Sequence, residues 1–213
     1  MNIGLYGGSF DPIHQGHIEP VLEARRAAEL DRVIYLPTAR PPHKQDRRLI
    51  SPQARFTMVE MALLDHPELE VSDFEMDTSA PSYTVETLEH FHRPDRRLHL
   101  IVGADSFIQL DRWVRWRDIL TLARLVVLTR PGWTADRDTT APELLELMDL
   151  DPGHERSAVL VENRPIAASS TEIRRRLAQG ESVPAGWLPR PVLKYIEKYG
   201  FYGSRRSVPE ETS

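Results

Sequence analysis

Short apolar runs alternate along the chain with segments whose apolar residues recur at helical spacing, and this alternation constrains the fold more than any other feature of the sequence. The runs typical of buried strands lie at residues 3–6, 32–36, 98–102 and 124–129, with a weaker one at 69–72. Strands that alternate with helices are joined by right-handed crossovers and form a mostly parallel sheet. The sequence therefore predicts an α/β fold with a doubly wound, mostly parallel sheet, which binds ligands outside the carboxyl ends of its strands.

Helical patterns fill the intervals between the strands and continue towards the C-terminus. Ser51-Pro52 is typical of an N-cap and first helical residue, and Gly180 and Gly200 are typical of residues that follow a helix. The expected helices lie at residues 18–28, from 52 onwards, and at 83–91, 118–123, 143–148, 169–179 and 191–199. We expect a single domain over residues 1–203, with C-terminal helices, and a polar tail over residues 204–213.

Composition excludes several classes of protein. The 213 residues carry a net charge of −5, whereas general nucleic-acid binding favours a basic surface, so no nucleic-acid partner is expected. The chain has no cysteine, which excludes disulfide and thiolate chemistry. It has no apolar run of membrane-spanning length and no signal-peptide pattern, so we expect a cytoplasmic protein without a membrane partner. The sequence leaves open whether the chain forms a homo-oligomer.

The segment that follows the first strand, residues 7–17, reads GGSFDPIHQGH and is the strongest candidate for a ligand site. Its paired glycines allow a close approach of the backbone to a ligand. His14 and His17, three residues apart, can present both rings on one side of a starting helix, whose free N–H groups add a partial positive charge. Together these features predict a cradle for a triphosphate. A tight turn, structural histidines or a metal pair are the alternatives, although no third ligand at zinc-type spacing is apparent.

A second segment, residues 169–177, reads SSTEIRRRL and is typical of a helix start. Its hydroxyls and free N–H groups can donate to phosphate oxygens, and Arg174 adds a fixed positive charge one turn further on. The alternative is local: Ser169 and Glu172 form a capping box, and the three arginines form a solvated face. The segment by itself leaves both interpretations open.

Both segments resemble the signatures of the H-x-G-H nucleotidyltransferase superfamily. Its Gly-x-Phe-Asp-Pro-x-His-x-Gly-His run after the first strand is matched by Gly8, Phe10, Asp11, Pro12, His14, Gly16 and His17. Its Ser-Ser-Thr-x-Ile-Arg run, which closes over the phosphates of ATP, is matched by Ser169, Ser170, Thr171, Ile173 and Arg174, with Ala168 in place of the preceding isoleucine. The resemblance implies a Rossmann-like nucleotidyltransferase fold and ATP as one substrate.

Further runs narrow the resemblance to bacterial nicotinate mononucleotide adenylyltransferases, over residues 3 to about 202. They are PPHK at 41–44, PSYT at 81–84, GAD at 103–105, DRWVRW at 111–116 and RPG at 130–132. The resemblance implies transfer of AMP from ATP to nicotinate mononucleotide, which gives nicotinate adenine dinucleotide and pyrophosphate in NAD biosynthesis. It also implies Mg²⁺ that arrives with ATP and keeps mostly phosphate and water ligands, without a protein metal site.

The resemblance assigns expected roles to three groups of residues. The catalytic group is His14, His17, Lys44 and Arg174. The ATP-binding group is Gly7, Gly8, Ser9, Phe10, Gly16, Gly103, Asp105, Ser169, Ser170 and Thr171. The group expected at the pyridine mononucleotide is Tyr83, Thr84, Trp113 and Arg130.

Each of four residues outside the two signatures has a plain structural alternative. Lys44 can swing a compact charge onto phosphates from a loop, or simply be solvated. Trp113 offers a flat surface on which a pyridine can stack, or fills the core. Thr84 directs helix N–H groups towards the pyridine carboxylate, or caps its helix. Asp105 accepts hydrogen bonds from ribose hydroxyls, or caps the next helix.

Other functions share part of this pattern. Transferases that act on phosphopantetheine, flavin mononucleotide or glycerol phosphate share the first segment, but they give no reason for the PSYT run or Trp113. An aminoacyl-tRNA synthetase fragment would need an anticodon-binding region. A nucleotide-sensing protein without activity would normally lack His14, His17 or Arg174. The preference for nicotinate over nicotinamide mononucleotide rests on the resemblance alone.

Overall fold

The computed structural model describes residues 1–40, 49–76, 81–151 and 154–204. Six strands form one sheet, with the bounds β1 Asn2–Gly8, β2 Arg32–Pro37, β3 Leu69–Val71, β4 Arg97–Gly103, β5 Ala123–Thr129 and β6 Val159–Glu162. The α-helices are α1 Gln15–Ala27, α2 Pro52–Leu63, α3 Thr84–Phe91, α4 Ala104–Phe107, α5 Trp116–Leu122, α6 Pro142–Asp149, α7 Ser170–Ala178 and α8 Arg190–Tyr199. Short 3₁₀ turns lie at Phe74–Met76, Leu110–Arg112 and Phe201–Gly203.

The sheet has the strand order β3-β2-β1-β4-β5-β6, and every neighbouring pair is parallel. The chain therefore winds outwards from β1 to β3, returns to the middle, and winds the other way from β4 to β6. The predicted doubly wound parallel fold is confirmed. In such a sheet the crevice beyond the carboxyl ends of the two middle strands, β1 and β4, is the expected ligand site.

Two apolar cores cover the two faces of the sheet, because alternate strand residues point to opposite sides. Val33 and Tyr35 of β2 pack on the face covered by α1, α2, α7 and α8. Ile3 and Leu5 of β1 pack on the other face, which α3, α5 and α6 cover. The carboxyl edge of the sheet is therefore held between two packed layers. No helix in the described part of the chain is both long and apolar enough to cross a membrane.

The sixth strand is the main element that the sequence pattern missed. Val159–Glu162 is only four residues long, pairs with β5 alone, and leaves Leu160 44% exposed. A short edge strand buries little and so has a weak apolar signature. The predicted helix at 118–123 also runs one residue too far, since Ala123 already belongs to β5.

Candidate active site

A cavity of about 470 Å³ opens at the carboxyl ends of β1 and β4. Gly7, Gly8 and Ser9 form one part of its wall, Gly103 and Ser106 another. A Cβ atom added to Gly7 or Gly103 would meet no atom within 4 Å. The two glycines therefore leave open space in front of the backbone, as the close approach of a ligand requires.

His14 and His17 together cap the start of α1. His14 has extended backbone angles and is the N-cap, and His17 is the third helical residue. The backbone N–H of Gly16 donates to Nδ1 of His14 at 3.1 Å, and the backbone N–H of His14 donates to Nδ1 of His17 at 3.3 Å. The two ring centroids are 3.9 Å apart. The predicted placement of both rings at one helix start is confirmed, although His14 lies just outside the helix rather than in it.

The same two hydrogen bonds determine how each ring is protonated. Because Nδ1 accepts in both rings, the ring proton of each lies on Nε2, which is then the donor. Burial lowers the pKa of His14 to about 4, so this ring is neutral at neutral pH. Only 6% of the surface of His14 is exposed, so its ring is rigidly held. The cap thus prepares imidazole N–H donors rather than general bases.

Phe10 and the remaining glycines of this segment support the histidines. The Phe10 ring is 1% exposed and meets the His17 ring edge-on, with centroids 5.3 Å apart. A Cβ on Gly8 would lie 2.8 Å from the Phe10 ring, and one on Gly16 would lie 2.8 Å from the His14 ring. Because the Phe10 ring is buried, a contact between Phe10 and ATP would have to be made by its backbone. The N–H of Gly16 is likewise already donated to His14.

The two predicted segments meet beside the cavity, although they lie about 160 residues apart in the chain. Ser170 Oγ donates to the carbonyl oxygen of Pro12 at 3.0 Å. The guanidinium of Arg174 donates to the carbonyl oxygen of Asp11, and its Nη1 lies 3.6 Å from Oδ2 of Asp11. The N-terminal segment and the start of α7 are therefore in contact, as the prediction of a single site requires.

The hydroxyls at the start of α7 already have partners within the protein. Ser169 is the N-cap and accepts from the N–H of Glu172 at 3.2 Å, and Thr171 accepts from Arg174 at 3.3 Å. Since both hydroxyls accept in these contacts, each keeps its proton as a donor for a ligand. The hydroxyl of Ser170 instead donates its proton to the carbonyl oxygen of Pro12.

The three consecutive arginines of α7 are not equivalent. Arg175 and Arg176 pair with Glu172 and Glu181 on the surface. Arg174 turns the opposite way, and only 19% of its side chain is exposed. The capping-box alternative is wrong in part, because the side chain of Glu172 pairs with the arginines while Ser169 alone caps the helix.

Arg55, which supports the loops beside the cavity, was missed by sequence reasoning. It is fully buried on α2, and its guanidinium donates to the carbonyl oxygens of Ser9 at 2.6 Å and Ala39 at 3.4 Å. Burial lowers the pKa of Arg55, while the nearby Asp11 raises it. Arg55 thus ties the loop after β1 to the loop after β2. Its position on the buried face of α2, with Met58 and Val59, was the available signal.

The opposite part of the cavity is lined by the start of α3 and by Trp113. Tyr83 is the N-cap of α3, and no side chain in the described ranges caps this helix. The capping alternative for Thr84 is therefore wrong: Thr84 is the first helical residue and lines the cavity. Trp113 is half-buried and lines the cavity while its ring packs against the core. Trp113 thus contributes to the core, as its structural alternative predicts, and also borders the cavity.

Glu75 is a second residue that sequence reasoning missed. This buried carboxyl lines the cavity and accepts from Thr38 Oγ1 and Thr87 Oγ1, each at 2.7 Å. Burial raises the pKa of Glu75, and the two hydroxyl hydrogen bonds partly oppose that rise. Thr38 follows β2 and Thr87 lies on α3, so Glu75 connects the sheet edge to the helix. The neighbours of Glu75 in the sequence include acidic residues, so nothing in the sequence indicated that Glu75 would be buried.

Arg112 also lines the cavity, next to Trp113, and was not singled out from the sequence. Arg130 follows β5 in an exposed turn and is absent from the described cavity wall. Asp105 is exposed on α4, beside the cavity residue Ser106. Lys44 lies outside the described residues, as does the whole PPHK run. In the described ranges, no three histidine or carboxylate side chains come together as a metal site.

The sequence of this chain matches a known protein family and several named relatives. The sequence model of the cytidylyltransferase-like family matches residues 5–176. A probable nicotinate-nucleotide adenylyltransferase of Roseiflexus sp. (strain RS-1) is 40% identical over 201 residues, covering 94% of this chain and 97% of that protein. A protein of the same name from Aeromonas salmonicida (strain A449) is 40% identical over 208 residues, covering 94% and 96%.

Solved structures resemble the fold at low sequence identity. Plasmodium falciparum nicotinic acid mononucleotide adenylyltransferase complexed with APC superposes with a TM-score of 0.72 at 17% identity, covering 96% of this chain and 98% of that one. The same protein complexed with NaAD gives 0.71 at 18% identity, with the same coverage. The chain therefore belongs to the cytidylyltransferase-like family, together with relatives named as probable nicotinate-nucleotide adenylyltransferases.

Proposed function

We propose that this chain is a nicotinate-nucleotide adenylyltransferase, which transfers AMP from ATP to nicotinate mononucleotide and releases pyrophosphate. The observation that carries the proposal is the meeting of the two sequence segments beside one cavity. Ser170 and Arg174 contact the carbonyl oxygens of Pro12 and Asp11, a few residues from the cavity wall at residues 7–9. The relatives at 40% identity support the same activity.

The reaction needs no protein base. The phosphate of the mononucleotide is largely ionised near neutral pH, since its second pKa is about 6. One of its oxygens attacks the α-phosphorus of ATP, and the bond from that phosphorus to the bridging oxygen breaks as pyrophosphate leaves. Catalysis is then positioning of the two phosphates and stabilisation of the charge that moves onto the leaving group.

The residues of the phosphate side suit this chemistry. The Nε2–H groups of His14 and His17 are donors of fixed orientation, and we assign them to oxygens of the ATP phosphates, with His17 nearer the reacting phosphorus. Arg174 is assigned to the departing pyrophosphate. Ser169 and Thr171 keep hydroxyl protons for the same phosphates. Lys44 is assigned to the leaving group from its sequence alone.

Magnesium is proposed as a companion of ATP rather than as a resident ion. Mg²⁺ loses its water ligands reluctantly and in nucleotide-using enzymes is bound largely by the substrate phosphates and water. When bound, Mg²⁺ supplies positive charge to the polyphosphate.

The pyridine side of the cavity favours a negatively charged ring substituent. The first N–H groups of α3 carry the partial positive charge of a helix N-terminus and face no capping side chain in the described ranges. The carboxylate of nicotinate can accept from these groups, whereas a carboxamide brings no charge. Trp113 provides the flat surface against which the ring stacks.

The purified chain tests the proposal directly. Pyrophosphate release is followed with ATP and Mg²⁺, in separate reactions with nicotinate mononucleotide, nicotinamide mononucleotide, phosphopantetheine, flavin mononucleotide and glycerol phosphate. We expect nicotinate mononucleotide to have the highest kcat/KM, about tenfold above the nicotinamide form, as the gain of one charged hydrogen bond implies. Release with a non-pyridine acceptor alone would refute the proposal.

A further inference from the structure

The C-terminal end of the described chain forms a hook, residues 200–203, that returns to the active site. Gly200, Tyr202 and Gly203 all have left-handed backbone angles, with φ values of 68°, 58° and 77°. A tyrosine rarely adopts this conformation, and such strain persists where the surroundings enforce it. A Cβ on Gly203 would lie 3.3 Å from Cα of Ala178, so the hook packs tightly against the end of α7.

The hook places the hydroxyl of Tyr202 beside the first sequence segment, residues 7–17. The O–H of Tyr202 donates to Oδ1 of Asp11 at 2.8 Å, across 191 positions of sequence. Burial and the adjacent Asp11 carboxylate both raise the pKa of Tyr202, so its hydroxyl remains a donor at any physiological pH. The strained backbone of the hook thus places a permanent donor on a nearly buried carboxylate.

Two cations lie near Asp11: Arg174, and the buried Arg55, whose guanidinium donates instead to backbone carbonyl oxygens. Nη1 of Arg174 lies 3.6 Å from Oδ2 of Asp11, which is beyond the distance of a good hydrogen bond. The side chain of Asp11 is only 4% exposed, so water does little to screen its charge. Without another donor, the carboxylate would be expected to turn towards Arg174 and pair with it in the bidentate geometry that guanidinium favours. The bond to Tyr202 holds the carboxylate away from that geometry.

We propose that Tyr202 is a positioning residue for Arg174: its hydroxyl fixes the Asp11 carboxylate, so that the guanidinium remains able to reach the pyrophosphate part of bound ATP. Arg174 keeps its contacts with the carbonyl oxygen of Asp11 and with Thr171, which set its direction. This inference rests on the proposed function, because it requires Arg174 to serve the leaving group.

The test is a double-mutant cycle on the full chain, with Tyr202→Phe, Arg174→Ala and the double variant. Phenylalanine keeps the ring and removes only the hydroxyl. Tyr199→Phe is the matched control, since Tyr199 lies one turn away in the same aromatic group but is 48% exposed. Adenylyl transfer is measured with ATP and nicotinate mononucleotide, at a temperature well below the lowest melting temperature of the set.

We expect Tyr202→Phe to lower kcat about tenfold, which is the rate change expected when one hydrogen bond to a charged group is lost. The KM for nicotinate mononucleotide should stay unchanged within about twofold. Tyr199→Phe should match the parent chain. In the Arg174→Ala background, Tyr202→Phe should change kcat by less than about twofold, because its effect passes through Arg174. A purely structural role would lower activity equally in both backgrounds.

Two results would overturn the inference: a Tyr202→Phe variant as active as Tyr199→Phe, or an equal loss with and without Arg174. Inactivity of the parent chain itself would instead refute the proposed function. Should Tyr202→Phe not fold alone, it is combined with Asp11→Asn, which removes the carboxylate charge that the hydroxyl holds and with it the competition for Arg174. The double variant should then keep a kcat within about twofold of Asp11→Asn alone. A further loss of about tenfold in the double variant would contradict the inference.

Discussion

The two sides of the cleft are built in different ways. On the phosphate side, His14, His17 and Arg174 are each oriented by at least one hydrogen bond to the backbone. On the pyridine side, much of the wall is apolar, and its polar features include the start of α3, which no described side chain caps, the buried Glu75 and Arg112. One side holds donors in fixed directions, and the other offers a shaped surface with positive charge at a helix end and at Arg112.

This difference matches the two chemical tasks. Phosphate oxygens carry charge that moves during the reaction, so donors that are already oriented stabilise the transition state without rearrangement. A pyridine ring does not react, so its side of the cleft needs shape and one point of charge recognition. We therefore expect substitutions on the phosphate side to affect kcat and substitutions on the pyridine side to affect the KM of the mononucleotide.

The largest effect is expected for His17→Ala. Loss of one oriented donor to the transition state should lower kcat about 100-fold or more, while the protein remains folded because His17 is only partly buried. Steady-state kinetics and thermal unfolding are measured together. His92→Ala, at an exposed histidine after α3, is the control and should retain full activity. A folded His17→Ala variant with near-normal kcat would count against the assigned role.

A smaller effect, confined to binding, is expected for Trp113→Ala. Loss of a stacking surface worth roughly 1–3 kcal/mol should raise the KM for the mononucleotide about tenfold and leave the KM for ATP nearly unchanged. Trp113→Phe keeps a flat ring and should recover most of the affinity. Equal increases in both KM values would remove Trp113 from the pyridine side.

The hydrogen bonds that Glu75 accepts from Thr38 and Thr87 should have a weaker influence on the KM for the mononucleotide. Thr87→Val keeps the shape of the side chain but removes the hydroxyl that donates to Glu75, so the start of α3 should be less well held. We expect the KM for nicotinate mononucleotide to rise about threefold, since one hydrogen bond contributes about 1 kcal/mol. Thr87→Ser keeps the hydroxyl and should behave like the parent chain. Identical KM values for the valine and serine variants would contradict this prediction.

The smallest effect is expected in the pH dependence of stability. Because burial raises the pKa of Glu75, the folded state holds this proton at pH values where the unfolded chain has released it. Its contribution is therefore complete below the ordinary glutamate pKa of about 4.3 and is lost as the pH rises through the raised value. Denaturant unfolding at a series of pH values should show this loss in the parent chain and not in Glu75→Gln. Parallel stability curves for the two proteins would contradict it.

The phosphate side was largely predictable from the sequence, and the pyridine side was predictable only in part. His14 and His17 lie three residues apart, and Ser169 to Arg174 start a helix, so local backbone geometry brings each group together. Thr84 and Trp113 were identified because they lie in recognisable runs. Glu75 and Arg55 were missed, since a charged side chain gives no local sign that it will be buried.

The sequence by itself determined the fold class and brought together the donors proposed for the phosphates, because apolar periodicity and short spacings act over a few residues of backbone. Only the tertiary structure decided which acid lines the cavity, which arginine of α2 is buried, and where the hydroxyl of Tyr202 lies. Those outcomes depend on the strand order and on packing between segments up to 191 residues apart. Contacts of that range arise from burial and close packing of the whole chain, and local sequence patterns do not encode them.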